Sequence, residues 1–362
     1  MGLGGIFGGL MNDHFSWRWA FYIQVPFIVL AGILAWVFID IPVKGNESAA
    51  ERIKRVDFLG AITLCLTLVL LLLGLNSGGN IVPWNHPLVY VSLPLSGLSL
   101  IAFVYIEDQV AKEPVIPVRL LLDRTVASAC LTNWFLTMAV FSLFYYVPIY
   151  FQIVQGLSAT EAGTRLVPQS VGTALGSLFA GLVTRATGKY YNLAVSALLL
   201  YLCGAVLIAM TFGENVAGIL PFIWLFITGL AYGAMLTVTL LALLSAVTHA
   251  NQAVITSASY AFRSTGSTIG ITLASAVFQN KLSANLVSRF GHLPRAAEII
   301  ARIRDDVGEM WFLPEGWEKG VRESYVDSLR WVWIVVVVLS GLAGVVVLFL
   351  REHTLHTKLS RK

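Results

Sequence analysis

An arginine inside an otherwise apolar run is the residue of this chain best placed to do chemistry. Arg263 lies in the stretch 253–279, long enough to cross a bilayer, and Tyr260, Ser264, Ser267 and Thr268 surround it with hydroxyl groups. A guanidinium there is costly unless it faces a protein interior or a water-filled cavity, where its planar fork of donors can hold a polar or anionic group. The competing reading is that Arg263, about ten residues in from the end of the run, snorkels to the nearer interface. No other constellation rivals it. There is no phosphate-cradling loop, no zinc-ligand spacing and no nucleophile elbow. His353 and His356 stand three apart near the C-terminus without further ligands and read as part of a solvated tail. The sequence therefore predicts no catalytic residue, no metal site and no cofactor, and it argues against an enzyme or an ATP-driven pump.

The elements that must position Arg263 are membrane helices. The chain has 362 residues, 57% hydrophobic and 12% charged, with mean hydropathy +0.77, too apolar for a water-soluble domain of this size. Apolar runs near the roughly 20 residues that span a bilayer recur at 20–39, 58–75, 88–106, 129–151, 166–184, 192–212, 219–247, 253–279 and 330–350. These predict an all-α polytopic membrane protein with about nine complete transmembrane helices, preceded by a glycine-rich stub, 1–10. Cys65, Cys130 and Cys203 all fall within spans and read as small core residues. Small-xxx-small pairs at Gly172/Gly176, Gly229/Gly233 and Gly266/Gly270 predict close helix approach in lipid. Pro26, Pro94, Pro148, Pro168 and Pro221 mark places where helices can bend. Trp17, Trp19, Trp84 and Trp331 near span ends read as interfacial anchors.

Orientation follows from Lys and Arg in the short loops. Lys44, Arg52, Lys54 and Arg55 follow the first complete span, whereas the next loop, 76–87, carries no Lys, Arg, Asp or Glu. Lys112, Arg119 and Arg124 mark a second basic loop, Arg185 and Lys189 a third, and Arg351, Lys358, Arg361 and Lys362 a basic tail. The tail is therefore expected in the cytosol. The long segment between Lys281 and Arg330 mixes both signs and is expected as a loop, 281–329, on the other side. Within it, Leu293 to Val307 carries Ile299, Ile300, Ile303 and Val307 at helical spacing and predicts an amphipathic helix, or a surface lid without a partner. The net charge of +4 is spread over loop ends and gives no reason to expect nucleic acid.

Two motifs carry a resemblance. The stretch GGIFGG (Gly4, Gly5, Gly8 and Gly9) followed by SWRWAFYIQVP (with Trp17, Arg18, Trp19, Gln24 and Pro26) resembles the signature that ends helix five and opens helix six in fourteen-helix drug:proton antiporters of the major facilitator superfamily. Ile6 stands where that family usually has a proline. GLVTRATGK, with Gly181, Arg185, Gly188 and Lys189, is similar to the second-half echo of the superfamily's cytosolic loop motif, Arg185 replacing its Asp. Gln24 within IQVP and the SYVDSLRWVWIV approach to the last span resemble the fungal multidrug and vacuolar basic amino acid branch.

The resemblance implies a major facilitator fold lacking its first four to five helices, an N-terminally truncated form that alone would not move solute. In that frame 1–43 is a remnant of the N-terminal bundle, 44–125 holds two linker helices, and 126–362 is a C-terminal six-helix bundle. Substrate would meet Asn133, Tyr145, Tyr146, Gln169, Tyr232, Tyr260 and Arg263. The implied activity is proton-coupled antiport of drugs or basic amino acids by alternating access, in a carrier monomeric at full length, in the vacuolar or plasma membrane of a fungus. A proton gradient supplies the energy, and the implied partners are a small solute, protons and the lipid bilayer. No Asp or Glu lies in the middle of a span, so the proton-carrying acid is expected in the missing helices. The alternative from a different class is a transport-inactive membrane protein acting as a partner or regulator.

Overall fold

A computed structural model describes residues 4–39, 57–79, 81–111, 113–116, 118–214, 216, 218–293, 295–305, 313–314 and 316–353. Lys44, Arg52, Lys54, Arg55, Lys112, Val307, His356, Lys358, Arg361 and Lys362 lie outside the described residues. The elements are α1 (Gly4–His14), α2 (Trp17–Tyr22), α3 (Gln24–Phe38), α4 (Phe58–Ser77), α5 (Pro87–Gln109), α6 (Val118–Leu121), α7 (Arg124–Gln155), α8 (Ala159–Thr164), α9 (Val167–Thr187), α10 (Tyr191–Thr211), α11 (Leu220–Ala246), α12 (Gln252–Phe290), α13 (Ala296–Asp305) and α14 (Glu318–Val347). Among the described residues, eight of the predicted spans are long and apolar enough to cross a membrane, α2–α3 and α8–α9 each counting as one. The ninth, α12, is long but rich in Ser, Thr and Gly, so its passage through a bilayer depends on protein neighbours that cover its polar side.

Local signals explain the helix ends. Asp57 caps α4 by accepting from the Gly60 amide at 2.8 Å, and Asp123 caps α7 through Thr125 and Val126 at 2.8 and 3.1 Å. Ser158 and Glu161 form a reciprocal capping box at the start of α8. Gly156 and Gly188 close α7 and α9 in the left-handed region, φ 67° and 68°, where a β-carbon would be strained. Gly188, from the loop motif, is thus required by the turn itself.

The glycine pairs do what their spacing predicts. Gly172 and Gly176 of α9 face Gly229 and Gly233 of α11, and a methyl group on any of the four would collide with the opposing backbone. Gly266 and Gly270 of α12 likewise press against Trp134 and Met138 of α7. In lipid there is no hydrophobic drive between apolar helices, so this close backbone approach supplies the dispersion that holds them. The centre of the bundle is α7, buried along most of its length against α11, α12 and α14. At one end Tyr150, Phe212 and Trp333 pack together in tilted and edge-on contacts, the Tyr150 hydroxyl donating to the Gly213 carbonyl at 2.7 Å.

One expectation needs correction. The segment 281–329 is mostly helical rather than a loop: α12 runs on to Phe290 and α14 begins at Glu318. With 39 residues, α12 is about 58 Å long, well beyond a hydrocarbon core of roughly 30 Å. The mixed charges of the extension satisfy one another across the two helices. Arg289 bonds to Glu323 and, at 2.9 Å, to Asp327. The amphipathic helix is present as α13. It has a partner, since Ala296, Ile300 and Ile303 are buried and the Tyr325 hydroxyl donates to the Ile303 carbonyl at 2.8 Å.

The basic ends gather on one side of the bundle. Tyr190, after Lys189, donates its hydroxyl to the Arg351 carbonyl at 2.8 Å and accepts the His353 amide at 2.8 Å. Arg124 bonds to the Phe349 carbonyl and Thr125 to the His353 ring, both at 2.9 Å. The opposite end holds Arg289, α13 and the Trp84–Asn280 contact at 3.3 Å.

Candidate functional site

Arg263 sits half-buried on α12 between two tyrosines. Its guanidinium lies over the Tyr260 ring, 5.2 Å from the centroid, a cation–π contact from the preceding turn. Arg263 and Thr137 of α7 are both within hydrogen-bonding reach of the Tyr232 hydroxyl of α11. Tyr232 is buried, whereas Tyr260 is 58% exposed. Among the described residues no carboxylate pairs with Arg263. Three helices thus converge on a cation with two aromatic neighbours and no counter-ion.

Directly beside it lies a hydrogen-bonded layer. Asn133 of α7 accepts from Thr239 of α11 at 3.1 Å and donates to Ser259 of α12 at 3.4 Å, all three side chains buried. Asn133 therefore ties together the helices that carry Arg263 and its tyrosines. From this layer a polar stripe continues along α12 through Tyr260, Ser264, Ser267 and Thr268. Their hydroxyls in part turn back on the helix's own carbonyls, as Ser267 and Thr268 do to Ser264. Tyr260, Ser264 and Thr268 are exposed. An exposed polar stripe beside a cation in a membrane helix fits a wall of a watery path better than a lipid face.

The other predicted residues are separate from this cluster. Tyr145 and Tyr146 lie 12 and 13 residues further along α7, about 18–20 Å away. Tyr146 is buried against Phe278 with ring centroids 5.1 Å apart, and Tyr145 is exposed. Gln169 is buried on α9, and neither of its amide atoms has a hydrogen-bond partner. Its carbonyl is the atom that Gly229 approaches.

The motif residues occupy two places. Gly5 and Gly9 of α1 pack on Gly163 and Thr160 of α8, close enough that a β-carbon on Gly9 would strike backbone. Asp13 completes the contact by accepting from the Thr160 amide and hydroxyl at 2.9 and 2.6 Å. Gly4 and Gly8 face open space. Arg18 lies over Trp17, and Gln24 bonds back to the Ala20 carbonyl. Trp19 is exposed, as is Pro26 within α3. Gly181 has room around it, and Arg185 and Lys189 are exposed at the basic end. Sequence reasoning missed Asp13, whose partner Thr160 lies 147 positions away, and also the acids Asp57 and Glu107 at the basic end.

Residues 1–271 match the sequence model of the Major Facilitator Superfamily. The multidrug resistance protein fnx1 of Schizosaccharomyces pombe is 34% identical over 99% of this chain, which spans 68% of that relative. The vacuolar membrane amino acid uptake transporter fnx2 of the same yeast is 31% identical over 98% of the chain, which spans 61% of its length. A multidrug transporter of Bacillus subtilis, MdtP, is 29% identical over 81% of the chain and 53% of the relative. Among solved structures, a bacterial homologue of the human lysosomal transporter Spinster, inward-facing and occupied, superposes with TM-score 0.53 at 16% identity. That alignment covers 100% of this chain and 83% of the other.

Proposed function

This chain belongs to the major facilitator superfamily, and on that premise we propose that it forms the solute-contacting C-terminal part of a carrier exchanging protons for a basic amino acid by alternating access. The observation that carries the substrate class is Arg263, a cation beside Tyr260 and Tyr232 with no acid among the described residues to neutralise it. Such a group attracts a carboxylate and repels a cationic drug that lacks one. The relatives fnx1 and fnx2 are named for both classes, and the charge of Arg263 favours the amino acid. The polar stripe of α12 supplies the wall along which solute and water pass. The close seam between α9 and α11 lets those helices move as one body while α1 and α8 part or meet at the far end. By the lysine and arginine loops, the basic end and the tail face the cytosol, and the relative fnx2 makes the fungal vacuolar membrane the favoured location.

Uptake into inside-acid vesicles tests this. Vesicles from cells expressing the carrier should accumulate labelled arginine or lysine, and a protonophore should abolish the accumulation. Equal accumulation in vesicles lacking the protein would overturn the proposal.

A further inference from the structure

Two acids, the α4 cap Asp57 and Glu107 of α5, meet beside Gly60 at the basic end of the α4–α5 hairpin. Glu107, in the last turn of α5, is only 3% exposed. Its Oε1 accepts from the Ile116 amide at 3.3 Å, which draws the segment after α5 back onto the hairpin. Asp57 uses Oδ1 for the α4 cap. That leaves Asp57 Oδ2 and Glu107 Oε2 buried without a hydrogen-bond partner. Both carboxyl groups crowd the same α-carbon, since a methyl on Gly60 would collide with Asp57 Oδ2 and stand 3.0 Å from Glu107 Oε1. The two side chains are within hydrogen-bonding reach of each other.

No described cation neutralises this pair. The helix α4 carries no charged residue of its own. On α5 the neighbouring Asp108 is taken by Arg119 at 3.0 Å, and Glu113, in the segment that follows, is a further acid with a contact of its own. The helix α12 meets α4 at the opposite end, through Asn280 and Gly78. Its charges Arg263, Lys281 and Arg289 are engaged with Tyr260, Trp331 and the acids of α14. Two carboxylates so close in a dry setting cannot both be ionised, and an orphaned buried oxygen is itself costly. One proton removes both penalties, because one carboxyl then donates to the other.

We propose that Asp57 and Glu107 form a proton-binding site, separate from the Arg263 cluster, in which one shared proton locks α4, α5 and the backbone at Ile116 together at the basic end of the linker hairpin. Loss of that proton to bulk water leaves two buried like charges and loosens the hairpin where it leads into α7. The proposal does not depend on the transported solute.

The test is infrared difference spectroscopy of the purified chain in lipid nanodiscs, with melting followed across neutral and alkaline pH. The wild type should show a protonated-carboxyl carbonyl band at neutral pH that vanishes at alkaline pH, together with a falling melting temperature. Glu107→Gln keeps a donor for Asp57, and should lose the band while melting as the neutral wild type does at both pH values. Asp57→Asn still caps α4 and should also lose the band, so it carries the test if Glu107→Gln fails to fold. A wild type without the band at neutral pH, or a band unchanged in both variants, would overturn the proposal. So would rescue of the alkaline wild type by sodium or magnesium ions, which would make the pair a cation site.

Discussion

The Asp13 carboxylate takes both protons that Thr160 offers, the amide and the hydroxyl, and so pins the end of α1 to the start of α8. The Thr160 hydroxyl above all holds this carboxyl below the ordinary carboxylate range. Because the folded pKa is depressed, the contact contributes fully above the unfolded value of about 4 and is lost as pH falls through the lowered one. The amides of 159–164 should therefore exchange more slowly in the wild type than in Asp13→Asn at neutral pH, and the two proteins should converge only in acid below the lowered Asp13 pKa. A difference that persists unchanged into strong acid would separate the protection from this carboxylate.

The glycine seam makes a graded prediction. Gly229→Val drives a side chain into the Gln169 backbone, which no rotamer relieves, so folded protein should fall by about 1–3 kcal/mol or more. Gly181→Ala has its nearest neighbour, Thr237 Cγ2, at 4.0 Å and should be neutral or stabilising by up to about 1 kcal/mol. Thermal melting of the two variants in detergent checks the contrast.

How far the sequence speaks depends on the range of the interaction. Arg263 was legible because a charge in an apolar run needs no partner to be noticed, and the glycine pairs because their meaning lies in spacing along one helix. Which glycines would oppose which was not legible, since Gly172 and Gly229 meet only through the order of the bundle. The extension of α12 reads as a loop in the sequence because it mixes both signs, and only folding brings Glu323 and Asp327 to Arg289. The acids Asp57 and Glu107 escaped for the same reason. Each sits at a span end, where a lone carboxylate is ordinary, and only folding brings the two to one glycine.

Asn133 should act first as a tie between helices. Asn133→Ala removes the donor to Ser259 and leaves the Thr239 hydroxyl only the Met235 carbonyl of its own helix, and should cost about 1–3 kcal/mol. Its melting temperature should fall, while the KM of surviving carrier for arginine stays near that of the wild type. An unchanged melting temperature with a raised KM would make Asn133 a substrate contact instead.

The topology follows from the basic end. A tag after Lys362 and one in the 185–189 turn should both be cut by protease added from the cytosolic side, and a tag in 291–316 should be protected. A tail and an α13 segment that report the same side would contradict the orientation.

The central claim is that Arg263 holds the carboxylate of the solute, and competition between arginine and agmatine, the same molecule without its carboxylate, tests it most directly. In the wild-type carrier arginine should outcompete agmatine for uptake by about 10- to 100-fold, the range of a charge-assisted hydrogen-bonded contact of roughly 1.5–3 kcal/mol. Arg263→Ala, normalised to protein level, should erase that preference, and Arg263→Lys should restore little of it because an ammonium lacks the planar fork. An Arg263→Ala carrier that transports arginine at the wild-type rate and still rejects agmatine would contradict the account.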